Sequence, residues 1–178
     1  MAIVTEKLDL VPVFDMELFM TTSQETRIGG DLMERVEVLW GEWMAHRNAL
    51  TFTVGDTGYL LVWLSEEVED AVDDAWASSP SDAYMVNVLA QVMCMGMVHE
   101  ALPQVLEVGC APAPKGAEDL ARALEEIGVP YSADISQTLA RRYAVLTYYP
   151  FKGGCEVCSL VHSCPKGGSS SNSFTIGS

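Results

Sequence analysis

The sequence predicts an α+β fold, a single domain in which a small, mainly antiparallel sheet packs against several helices. Three observations carry that expectation. A β-hairpin pattern fills Leu50 to Leu64, helical periodicity lies on both sides of it, and a separate β-rich run, Tyr143 to Tyr149, comes near the end. The 178 residues and 49% hydrophobic content suffice for one substantial core. No repeat with a period of about 20–50 residues is present, which excludes a solenoid or propeller.

The elements follow in order. Leu8, Leu10 and Val13 form a short extended segment, which Pro12 confines to an edge or an end because proline donates no ladder hydrogen bond. Leu32, Val36, Leu39, Trp40 and Trp43 recur at helical spacing, so Asp31 to about His46 is an amphipathic helix. His46 and Arg47 then fall where the negative end of the helix dipole favours cations. "LTFTVGDTGYLLVWL" is two strands around Gly-Asp-Thr-Gly. Ser65 begins a helix with Val68, Val72 and Trp76 on one face and Glu66, Glu67, Glu69, Asp70, Asp73 and Asp74 on the rest. Its first carboxylates suit the positive end of the dipole, and a solvated face accounts for the others. The run lacks the alternate-position oxygens and turn glycine of an EF-hand loop.

Ser79 as N-cap and Pro80 at the first helical position open a helix to about Ala101 that is apolar nearly all round, the expected buried centre of the fold. Met85, Met93, Met95 and Met97 are adaptable core filler in this setting. A further helix covers Ala117 to Ile127, with Leu120, Leu124 and Ile127 on one face and Gly128 as its stop. A short helix from about Ala133 to Arg141 and the strand Tyr143–Tyr149 complete the core. The domain is expected to span residues 1–167, with a metal-binding loop at 153–167 and a flexible polar tail at 168–178.

Charge and hydropathy narrow the function classes. The net charge is −15, and the imbalance is uneven: residues 1–130 hold six basic and 23 acidic side chains, whereas 131–178 hold four basic and two acidic. Such an acidic surface repels phosphate backbones, so nucleic acid is not an expected partner; the acidic face serves solubility or a protein partner, which a basic one would suit. The longest apolar run, Val92 to Val98, is about a third of the roughly 20 residues that cross a bilayer, so no membrane span is expected. The N-terminus lacks a leader pattern, and the expected compartment is the cytoplasm.

Classical catalytic patterns are absent. His99-Glu100 fails as H-E-x-x-H because Pro103 occupies the second histidine position, and no zinc-deaminase pattern follows it. There is no phosphate loop, dinucleotide fingerprint or nucleophile–base motif among the sequence's three histidines. Chemistry concentrates instead in "GGCEVCSLVHSCPKG", where Cys155, Cys158 and Cys164 form C-x2-C-x5-C with His162 between the last two. A C-x2-C pair brings two thiolates to one centre, and the preceding glycines let backbone N–H groups turn toward sulfur. His162 and Cys164 are separated by one residue, which leaves little slack for both to bind one tetrahedral ion. The loop therefore reads as three ligands, with His162 beside the centre and a fourth ligand from elsewhere.

Cys94 and Cys110 are the candidates for that fourth place. Cys94 falls mid-helix, where a free cysteine behaves as a small hydrophobe. Cys110, in the irregular "EVGCAPAPKG", is preferred, giving the set Cys110, Cys155, Cys158 and Cys164. Lys152, Lys166 and Arg141 or Arg142 would offset the charge of such a centre. The trio plus a distant cysteine resembles the 4Fe–4S arrangement of the endonuclease III and MutY glycosylases, of RecB-like nucleases associated with CRISPR systems and of radical-SAM auxiliary domains. The resemblance covers ten residues; the glycosylases' upstream cysteine would fall on Tyr148, and no nuclease or radical-SAM motif accompanies it. It implies a cluster, not those activities. The expected function is a small 4Fe–4S protein for electron transfer or structural stabilisation. The alternative is a zinc-stabilised interaction module whose acidic helix, Glu66 to Trp76, meets a basic partner.

Overall fold

The computed structural model describes residues 3–133 and 138–164. Among them the chain forms β1 (Thr5–Lys7), α1 (Met16–Ser23), α2 (Gly30–Trp43), β2 (Arg47–Val54), β3 (Thr57–Leu64) and α3 (Glu66–Ser78). There follow α4 (Pro80–Ala101), α5 (Gln104–Val108), α6 (Glu118–Ile127) and β4 (Ala144–Tyr148). The α+β expectation holds. The four strands make one antiparallel sheet in the order β1-β2-β3-β4.

The hairpin fixes the frame. Its turn is only Gly55–Asp56, since Val54 already pairs with Thr57, so the Thr57-Gly58 half of the expected turn belongs to β3. Strand periodicity then sends alternate residues to opposite faces. Leu60, Val62, Leu64 and, across the ladder, Ala49 point into one core with Val68 and Val72 of α3 and Leu89, Met93 and Met97 of α4. Leu61, Tyr59, Leu50, Phe52 and Leu146 point into a second core under α6, where they meet Leu120, Ala123 and Leu124. Each Leu or Met removed from water contributes about 1.5–3 kcal/mol, so the larger first core dominates the fold's stability.

The helices follow local chemistry. α4 matches its expected span, with Ser79 at the N-cap position and Pro80 opening it, although the Ser79 hydroxyl makes no capping bond. α2 ends at Trp43 and tightens into a 3₁₀ turn, Met44–His46, so the expected helix keeps its span but changes pitch in its last residues. α1 was not anticipated: Asp15 caps it, its Oδ1 accepting from the Leu18 N–H at 2.9 Å. α6 ends as expected at Gly128, which takes the left-handed conformation.

One expected element is corrected. Residues 138–142 are not helical: Leu139 forms an antiparallel bridge with Tyr131, and Ala140 donates to the Pro130 carbonyl. Over residues 138–141 the expected helix gives way to this bridge, which packs Tyr131 and Leu139 against the second core. Residues 134–137, the rest of that segment, lie outside the described residues, as does the polar tail at 168–178. No described helix is long and apolar enough to cross a membrane.

Candidate metal centre

The cysteine loop is hung on the end of β4. The Tyr149 N–H donates to the Gly58 carbonyl at 2.9 Å, which extends the β3 ladder past the strand. Gly58 must lack a side chain there, because a Cβ would overlap the Tyr149 carbonyl. A cis Tyr149–Pro150 bond follows, and Phe151 packs on the first core. Gly154 has φ 107°, a region that side chains rarely adopt, and it leads into a single 3₁₀ turn, Cys155–Val157. The Cys158 N–H closes that turn on the Cys155 carbonyl at 3.2 Å.

A second segment runs against it. The buried Thr147 hydroxyl donates to the Pro112 carbonyl at 2.9 Å, and the Ser159 N–H donates to the Ala113 carbonyl at 2.8 Å. The loop that carries Cys110 is thereby joined to β4 and to the cysteine loop. Tyr148 adds a further tie, its hydroxyl donating to the Val157 carbonyl at 3.3 Å.

None of the five cysteines, all of them among the described residues, is joined in a disulfide. Cys155 is exposed, Cys110 and Cys164 are intermediate, and Cys158 is buried at the loop's base. Cys155, Cys158 and His162 line one open groove, together with Lys115 and Gly116. His162, expected beside the centre, thus shares a wall with two of the cysteines. Cys110 and Cys164 do not line the groove. Among the described residues no three His, Cys, Asp or Glu side chains converge closely enough to hold a metal ion.

Cys94 stands apart. It lies inside α4, its Sγ donates to the Tyr143 carbonyl at 3.4 Å, and burial pushes its thiol up to about 12. At neutral pH it is a protonated thiol in an apolar setting, unsuited to ligation.

The expected charge compensation is also revised. Arg141 and Arg142 are drawn to α3: Arg142 pairs with Asp73 at 2.7 Å, Arg141 with Glu66 at 3.4 Å and with Glu69 at 3.7 Å. The Arg142 hydrogen bonds hold the Asp73 carboxyl below its ordinary range. The acidic face of α3, expected to be solvated, is partly occupied by these two arginines. Lys152 holds its ammonium 5.4 Å from the centre of the Tyr148 ring, and Lys166 lies outside the described residues. Lys115, which no motif marked, is the cation on the groove wall among the described residues.

The fold and the loop define an α+β protein with a thiol-lined groove at the sheet's β4 end. No family model matches the chain, and no curated protein matches it.

Proposed function

We propose that the chain is a small metal-binding protein whose C-terminal loop carries a 4Fe–4S cluster on Cys110, Cys155, Cys158 and Cys164, for electron transfer or to fasten that segment to the sheet. The observation that supports this most is the Ser159–Ala113 hydrogen bond at 2.8 Å, which joins the two segments bearing all four thiols. The donors are of the right kind: cysteines outside any disulfide, three of them at least partly accessible, with the buried Cys94 set aside by its protonation. Closing the centre requires the Cys110 and Cys164 side chains to turn toward the groove, a local ordering of the sort metal binding drives.

A zinc reading is favoured by a different observation, the shared wall of Cys155, Cys158 and His162. Zinc would take those three and one further thiolate. Anaerobic purification separates the two. The cluster predicts brown protein with about four iron and about four sulfide per chain. Colourless protein with a single zinc, lost in His162→Ala, selects the alternative. Protein that takes up neither metal on reconstitution overturns both. Cys110→Ser is expected to abolish iron loading and Cys94→Ser to leave it intact; the reverse pattern would exchange their roles.

A further inference from the structure

A second groove shares no residue with the cysteine groove. It opens where the strap before α1 crosses the C-terminal end of α4. Pro12 sits so close to Gly96 that a Cβ there would lie 2.9 Å from the proline ring, so the strap is seated directly on the helix backbone. Arg47 anchors the strap's other end through the Leu10 carbonyl and an ion pair to Asp9 at 3.1 Å.

The groove's wall is apolar yet open to water. Val11, Val13, Met16 and Leu106 line it, and they are 54%, 83%, 40% and 58% exposed. These are four of the ten large hydrophobic side chains exposed among the described residues, gathered in one place. Concentration of this kind marks an interaction surface, whereas scattered exposed side chains do not.

Its charge says what covers it. Asp15, Glu17 and Glu100 line the same groove. Glu17 and Glu100 have no cation partner among the described residues, whereas Glu66, Glu67, Glu69 and Asp73 of α3 each face an arginine or histidine. A second copy of this chain would bring identical carboxylates against them and adds its own charge of −15, so self-association through this face is opposed. The lining comes from the strap and from α1, α4 and α5, with no sheet edge to accept a strand. An occupant must therefore arrive with its backbone already hydrogen-bonded.

We infer that this groove is a docking site for a basic amphipathic helix of another protein, whose apolar face covers Val11, Val13, Met16 and Leu106 while its Lys or Arg side chains pair with Glu17 and Glu100. The test uses a fluorescein-labelled synthetic helix of leucine and lysine about 18 residues long, five turns, and a peptide of the same composition with the amphipathic order scrambled. By anisotropy the ordered helix should bind at least about tenfold tighter than the scrambled one, and Val13→Asp or Leu106→Asp should remove that advantage. Glu17→Gln with Glu100→Gln should reduce the salt dependence of binding. Asp70→Asn with Asp74→Asn, which removes the same charge from α3, should not. Amide NMR shifts should move over residues 11–17 and 96–106. Equal binding of both peptides, or binding weakened by the α3 pair and untouched by Leu106→Asp, overturns the inference. A dimer in sedimentation equilibrium that Leu106→Asp dissolves also overturns it, assigning the face to a second copy.

Discussion

α4 and the cysteine loop are held in opposite ways. Eleven of the 22 residues of α4 are buried, packed between the first face of the sheet and its neighbouring helices. Between Pro150 and Cys164, Cys158 is the sole residue buried among those described. The loop instead depends on a few directional bonds: Tyr149 to Gly58, Tyr148 to Val157 and Ser159 to Ala113. Apolar burial is cumulative and needs no ligand. A handful of hydrogen bonds, each worth about 1 kcal/mol net, leaves a segment that a bound metal can order. The difference teaches that the core should be indifferent to any metal the loop binds, as proposed, and the loop should not.

The largest expected effect tests the first half of that contrast. Leu89→Ala or Met93→Ala removes a side chain with no solvent exposure from the first core, and should lower unfolding free energy by about 2–5 kcal/mol in urea. Metal content per folded molecule should stay unchanged. Next comes Gly58→Ala, which forces the Tyr149 backbone away from β3. It should cost about 1–3 kcal/mol and, unlike the α4 changes, also lower metal loading, because it displaces the root of the loop. Equal loading in Gly58→Ala and wild type would uncouple the loop from the hairpin.

Cys158→Ser reverses the balance. It should abolish metal binding and speed cleavage by chymotrypsin at Phe151 or Leu160, while the core's unfolding free energy in urea changes by less than about 1 kcal/mol. A large drop in core stability would show that the two regions are not separable. The smallest effect concerns His99 at the end of α4. Burial lowers its pKa, opposed by the nearby Asp15, so the folded state favours the neutral ring. Its contribution is complete above the ordinary histidine pKa of about 6.5 and is lost as pH falls through and below it. His99→Gln should flatten the pH dependence of stability between about pH 7 and 5, leaving the carboxylates to set what remains.

What could be read from the sequence follows the same division. The hairpin, α3, α4 and α6 were legible because each carries a period and a punctuation signal: Gly55, Ser65, Pro80 and Gly128 stand where the chain turns or stops. α1 and α5 escaped because eight and five residues are too few for a period to emerge. Asp15 with Glu17 two residues later was nonetheless a readable start signal for α1. Charge showed that 131–178 was basic but not that Arg141 and Arg142 would be spent on α3. Those pairs join residues about 70 positions apart, and only the path of the chain into β4 brings them together. The C-x2-C spacing is local and could be seen. The contact between the Cys110 loop and Ser159 depends on β4 docking, and Lys115 reached the groove with no motif to announce it.

The Ser159–Ala113 bond has a consequence in time. Cys110 precedes β4 along the chain and Cys155, Cys158 and Cys164 follow it, so the arrangement that joins the two groups of thiols in the fold depends on β4 pairing with β3. On the proposal, a centre that draws on both would be loaded most readily by a chain whose sheet has already formed. A metal bound there would act as a seal on a sheet already formed, and metal-free protein should keep its native core in urea unfolding.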